Sequence, residues 1–190
     1  MRSIYAFFFK LLGWKTSGTK PSYRKYILVV APHTSNWDFL VGVGARASID
    51  FYPRYLGKKE LFIWPFGALF RKLGGYPVER DKATNFVQSV VSIFEENDDF
   101  ILTITPEGTR SYNEHWKTGF YYIAKEANIP IIPVGFDYPS KTVVLGEAVF
   151  ATEPVDDVVK ALKKWFSQFT GKIPSNGVRE VKEGQSNAHS

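Results

Sequence analysis

His33 stands five positions before Asp38 in Ala-Pro-His-Thr-Ser-Asn-Trp-Asp (residues 31–38), and no other pair in this chain is as well fitted to do chemistry. An imidazole can take a proton near neutral pH. A carboxylate held on one ring nitrogen fixes the tautomer that leaves the other nitrogen free to deprotonate an alcohol. The apolar run Ile27-Leu-Val-Val30 reads as a buried strand, and Asp38-Phe-Leu-Val-Gly opens a helical pattern, so the pair straddles a strand-to-helix turn that can bring the two side chains together. With three His and eight Asp in 190 residues, this spacing arises by chance roughly 0.13 times per chain, so the pair alone does not decide. The alternative is structural, with Asp38 capping the helix and His33 satisfied within the turn.

A second segment adds to the first. Phe100-Ile-Leu-Thr-Ile-Thr105 reads as a short strand running into Pro106-Glu-Gly-Thr-Arg-Ser111, where Pro and Gly force a tight turn with Glu107, Thr109 and Arg110 at its tip. In open α/β sheets ligands gather beyond the carboxyl ends of the strands, and His33, Arg80, Glu107 and Arg110 each follow a strand candidate closely. One cleft can hold all four.

These blocks, in this order, resemble the glycerolipid acyltransferase family, typified by 1-acylglycerol-3-phosphate acyltransferases. His33-x4-Asp38 and Pro106-Glu-Gly-Thr-Arg-Ser111 carry the resemblance. Gly75-Tyr-Pro-Val-Glu-Arg80 looks like the family's glycerol-phosphate-binding motif, and Ile129-Pro-Ile-Ile-Pro-Val134 like its proline-bearing fourth motif. The four blocks span about residues 24 to 150, and together they are specific where each alone is not.

The resemblance implies transfer of a fatty acyl group from a thioester, acyl-CoA or acyl carrier protein, to the free hydroxyl of a lysophospholipid. The implied acceptor is 1-acylglycerol-3-phosphate and the implied product phosphatidic acid. Direct attack fits the residues, since there is no Gly-x-Ser-x-Gly elbow and no cysteine to form an acyl-enzyme. His33 is then the base and Asp38 its orienting carboxylate. Arg80 is a candidate for the acceptor phosphate, its alternative being an exposed arginine paired with Glu79 or Asp81. Arg110 is a second phosphate candidate. Glu107 is expected either to hold an acceptor hydroxyl or to lock Arg110, with an ion pair shaping the turn as the structural alternative. Gly108 and Thr109 are expected to set backbone geometry and a local hydrogen bond at the substrate site. No cofactor is called for, and with His115 and His189 outside any ligand spacing no metal site is expected.

The chain departs from the family at two places. Thr105 stands where an aromatic often precedes Pro-Glu-Gly, and Tyr76-Pro77 replaces residues that are often aliphatic. The acceptor is therefore open: a lysolipid without glycerol phosphate, such as a lyso-amino-acid lipid, is one alternative, and a catalytically silent peripheral membrane-binding module is another.

The elements that must position these groups alternate strand-like and helix-like runs, which argues a single α/β domain with a central mainly parallel or mixed sheet flanked by helices. Expected strands are 26–31, 54–57, 76–78, 100–105, 131–136 and 142–145. Expected helices are 38–47, 65–73, 83–96, 118–128 and 155–169. The domain is expected over 26–170, a size that buries about 70% of the unfolded surface. From Gly171 apolar periodicity is lost, and 171–190 is expected to be a disordered tail.

A net charge of +5 and a sequence pI near 9.3 favour a partner bearing phosphate. Helix-turn-helix, zinc-finger and RNP-like patterns are absent, so an anionic membrane surface, and not nucleic acid, is the expected partner. Zero cysteines exclude disulfides and thiolate metal sites without locating the protein.

Residues 1–14 form an apolar segment interrupted by Lys10; as a helix they span about 21 Å, too short for a hydrocarbon core about 30 Å thick. Ile4, Phe7, Phe8, Leu11 and Leu12 share a face, and Lys15, Lys20, Arg24 and Lys25 follow. Residues 1–25 are thus expected to be an interfacial helix and basic linker, holding the protein as a peripheral, monotopic enzyme on the cytoplasmic face of a membrane. The alternative is a helix packed on the domain's own surface.

Overall fold

The computed structural model describes residues 2–78 and 83–180, with one seven-stranded sheet at the centre. Its strands are β1 (Lys15–Ser17), β2 (Lys25–Ala31), β3 (Arg54–Lys58), β4 (Gly75–Val78), β5 (Phe100–Ile104), β6 (Ile131–Asp137) and β7 (Thr142–Leu145), in the spatial order β1-β7-β6-β2-β5-β3-β4. Every pairing is parallel except β6 with β7. The sheet is mixed and the domain is α/β, as the alternation of runs predicts.

Central β2 has both faces covered, which is why its sequence is an unbroken apolar run. Ile27, Val29 and Ala31 enter one core with Phe94 of α4 (Ala83–Glu96), Phe120 and Ile123 of α5 (Gly119–Glu126) and Phe166 of α6 (Val155–Phe166). Tyr26, Leu28 and Val30 enter the opposite core with Val41 and Ala45 of α2 (Trp37–Ser48), and with Phe9 and Trp14. The short α3 (Gly67–Lys72) follows a 3-10 turn over Lys59–Phe62.

The N-terminal helix α1 (Arg2–Leu11) is packed and exposed at once. Phe9 is buried against α2, where Gly44 makes room: a Cβ there would stand 2.6 Å from the Phe9 ring. Ile4, Phe7, Phe8, Leu11 and Leu12 remain exposed on the other side. The Phe9 face answers to the alternative expectation, a helix packed on the domain's own surface. Among the described residues no helix is long and apolar enough to cross a membrane.

Three features differ from expectation. Lys15–Ser17, read as linker, is the edge strand β1 paired with β7; three polar residues carry no hydrophobic period. Helix α6 stops at Phe166, because Phe169 leaves the helix to cover Gly135 of β6. Residues 171–180, expected as the start of a tail, fold back over the ends of β2 and β5: Gly171 lies against Thr34, and a short 3-10 turn covers Pro174–Asn176. Their contacts are made by backbone and polar groups, which leave no apolar periodicity to read. Residues 181–190 lie outside the described residues.

Candidate active site

The turn between β2 and α2 wraps around one carboxylate. Asp38 sits in the first turn of α2, only 2% exposed, and its Oδ2 accepts the N–H groups of Thr34 (2.7 Å) and Ser35 (2.8 Å). His33 Nδ1 lies 3.1 Å from the same oxygen. With a carboxylate as partner, Nδ1 carries the proton, and Nε2 is the nitrogen left for the cleft that His33 lines. The bland role for Asp38 as a helix-start acid and its role as the orienter of His33 are thus filled by the same side chain.

Asp38 Oδ1 accepts a hydrogen bond from the Tyr138 hydroxyl at 2.5 Å. Burial pushes the Asp38 carboxyl up, but the hydrogen bonds from His33, Tyr138, Ser35 and Thr34 outweigh it and hold the group below its ordinary value. For Tyr138, burial and the Asp38 carboxylate both push the phenol well above its usual range. The Tyr138 ring packs edge-on against Trp14 at 4.9 Å between centroids, which links the segment after α1 to the dyad.

The turn after β5 meets the His33 turn through Glu107. Its Oε1 accepts the His33 backbone N–H at 2.8 Å, its side chain is 4% exposed, and Oε2 is buried with no hydrogen-bond partner among the described residues. Burial pushes this carboxyl above its ordinary value, against the lowering effect of the His33 N–H. Glu107 does not lock Arg110: its carboxylate ties two loops together through the His33 N–H. Gly108, Thr109 and Arg110 do line the cleft. Gly108 has φ +66°, and a Cβ there would stand 2.6 Å from Lys117 Cε, so the turn needs glycine twice over. Thr109 Oγ1 accepts the Ser111 N–H at 3.3 Å, the local bond expected of it. Arg80 lies outside the described residues.

The cleft has a volume of about 1690 Å³. His33, Asp38, Arg110 and Lys117 line it together with Leu28, Val30, Val43 and Phe136 from the sheet and α2, so one cleft presents both polar, basic groups and apolar surface. That shape suits a molecule with a charged head and a hydrocarbon chain.

Sequence reasoning missed Tyr138 and the 171–180 segment. Tyr138 follows β6 by one residue, and β6 neighbours β2, so the strand-end rule that picked His33 and Glu107 would have found it if applied to β6. The segment 171–180 closes over both turns: the Ile173 N–H bonds Thr34 Oγ1 at 3.2 Å, and Asn176 Nδ2 bonds the Arg110 carbonyl at 3.0 Å.

A family model described as Acyltransferase matches residues 15–137. The 1-acyl-sn-glycerol-3-phosphate acyltransferase of Escherichia coli (strain K12) is 33% identical over 135 residues, which cover 65% of this chain and 53% of that protein. The protein of the same description from Saccharomyces cerevisiae (strain ATCC 204508 / S288c) is 29% identical over 132 residues, 63% of this chain and 41% of that one. The chain spans about half the length of the bacterial relatives it matches. The crystal structure of the 1-acyl-sn-glycerophosphate acyltransferase from Thermotoga maritima superposes with a TM-score of 0.62 at 18% identity, over 88% of this chain and 75% of that one, and shares the fold.

Proposed function

The chain belongs to the acyltransferase family, and from that premise we propose that it moves a fatty acyl group from acyl-CoA or acyl carrier protein to the free hydroxyl of a lysophospholipid, 1-acylglycerol-3-phosphate, giving phosphatidic acid. The observation that carries this reading is the His33–Asp38 pair, 3.1 Å apart, in the wall of a cleft that apolar side chains also line.

His33 Nε2 takes the acceptor's hydroxyl proton as that oxygen attacks the thioester carbonyl. Asp38, held by Thr34, Ser35 and Tyr138, keeps the proton on Nδ1 and stabilises the imidazolium. Collapse of the tetrahedral intermediate breaks the carbon–sulfur bond, and the imidazolium returns the proton to the leaving thiolate. Glu107 fixes the His33 backbone while Gly108, Thr109 and Arg110 face the substrate, with Arg110 and Arg80 gripping phosphate.

Residues 26–170 are the catalytic unit in this reading. The exposed face of α1, with the basic residues that follow it, holds the enzyme peripherally on the cytoplasmic side of an anionic membrane. The test is a matrix of acyl-CoA and acyl carrier protein donors against lysophosphatidate, other lysophospholipids and lyso-amino-acid lipids, read by mass spectrometry. Phosphatidic acid formed from lysophosphatidate is the expected product. Acylation of phosphate-free acceptors alone would move the assignment to lyso-amino-acid lipids. No product from any pair would leave a membrane-binding module without catalysis.

A further inference from the structure

Large apolar side chains are exposed mainly on three stretches of the chain. Among the described residues, thirteen of eighteen exposed large hydrophobics lie on α1 and the adjoining Leu12, at the start of α2 (Trp37, Phe39, Leu40) and on the segment 63–69, Ile-Trp-Pro-Phe-Gly-Ala-Leu. In that segment Trp64 is 90% exposed, and Ile63, Phe66 and Leu69 are each more than half exposed.

The projection is built. Phe62 at its base is buried, packs near Phe70 (6.3 Å between centroids) and covers Gly75 of β4. The Gly67 N–H bonds the Ile63 carbonyl at 2.9 Å, and a Cβ on Gly67 would stand 2.1 Å from the Phe62 carbonyl oxygen, so only glycine closes this turn and turns its apolar tip outward.

Charge and position name the occupant. Exposed Arg71 and Lys72 follow the tip directly, at the end of α3. A second copy of the chain, itself at net charge +5, would bring these cations face to face at a two-fold contact, whereas an anionic bilayer would neutralise them. The segment and α1 also adjoin the same helix: Phe9 of α1 rests on Gly44 of α2, and Arg46 Nη1 of α2 donates to the Leu73 carbonyl at the end of α3 at 2.8 Å. Leu73, which accepts the Arg46 bond, and Phe39, at the start of α2, line the cleft.

We propose that residues 63–69 are a second membrane-insertion element, entering the same anionic bilayer as α1 with Trp64 at the interface and setting the protein's orientation so that lipid reaches the cleft past α2. The inference rests on the peripheral-membrane part of the proposed function and goes beyond it in naming a second, independent contact. One amphipathic helix leaves the body free to roll about it, whereas a second contact does not.

Because the chain holds no cysteine, Trp64→Cys creates a unique site for an environment-sensitive nitrobenzoxadiazole label on the full chain. Ala161→Cys, exposed on α6 in the layer across the sheet and away from the cleft, serves as the reference. On vesicles of equal parts phosphatidylcholine and phosphatidylglycerol, the label at 64 is expected to brighten several-fold, shift to the blue and be quenched by nitroxide placed high on the acyl chains, while the label at 161 stays aqueous. Trp64→Glu is expected to weaken vesicle binding about tenfold or more, with turnover of a short-chain soluble acceptor unchanged. If the protein floats with vesicles while the label at 64 stays in water, the second element is refuted and the α1 anchor stands. If the protein does not float, both fall. A label at 64 that turns apolar with protein concentration and without vesicles would show a contact between copies and overturn the proposal.

Discussion

The Tyr138 hydroxyl donates to Asp38 Oδ1 at 2.5 Å, on the side of the carboxylate opposite His33 and the backbone of its turn. Tyr138 directly follows β6 and Asp38 belongs to α2, so the bond fixes the orienting acid against the end of the sheet.

Tyr138→Phe should therefore lower stability by about 1.5–3 kcal/mol, the usual worth of a hydrogen bond to a charged group, and reduce turnover by less than loss of His33 does. Asp38 is held below its ordinary value, so its contribution is present above the unfolded carboxylate value near 3.9 and is lost as pH falls through the folded one. The stability difference between wild type and variant should shrink in acid. Urea titrations across pH check this; a constant difference would separate Tyr138 from the carboxylate.

Glu107 makes the opposite pH case. Burial raises its carboxyl, so ionising it costs stability as pH climbs from the unfolded carboxylate range through the folded value. Glu107→Gln keeps an oxygen for the His33 N–H, so its Tm relative to wild type should rise with pH across that window, with most turnover retained. Glu107→Ala should lose both stability and turnover. A Gln variant as inactive as the Ala variant would argue that the carboxylate itself acts on substrate.

Gly44→Ala places a methyl 2.6 Å from the Phe9 ring, in a contact with no slack. Overpacking of this kind typically costs about 1–3 kcal/mol. Alpha1 should loosen, seen as faster proteolysis near Lys10, and turnover should fall because Trp14, at the end of this segment, braces Tyr138. An unchanged melt and digestion pattern would show that α1 is not held through Phe9.

Arg80→Ala should raise the acceptor KM and leave the donor KM nearly still, if the guanidinium grips the acceptor phosphate. The same variant assayed with a phosphate-free acceptor discriminates: an equal loss there would assign Arg80 to the donor or to structure.

Much of the fold was legible because its signals are local. The β2 run and the amphipathic pattern of α4 depend on residues next to each other in sequence, and their bounds fall within a residue of expectation. The His33–Asp38 pair was legible for the same reason, since one turn holds both. Tyr138 was not, since it reaches Asp38 across 100 positions and a tyrosine after a strand carries no signal of its own. Beta1 is held by backbone hydrogen bonds that any residue types could make, and the 171–180 segment by isolated polar contacts, Ile173 N–H to the Thr34 hydroxyl and the Asn176 amide to the Arg110 carbonyl, which leave no apolar period. Glu107 was located correctly, while its partner, a main-chain N–H, could not be read from residue types.

The central claim is that His33 is the base that activates an acceptor hydroxyl toward a thioester. The direct measurement is turnover of His33→Ala with acyl-CoA and lysophosphatidate, beside circular dichroism and a thermal melt. A native-like fold with turnover reduced by about 10² to 10⁴ is the predicted result; turnover within a few-fold of wild type in a folded His33→Ala protein would contradict it.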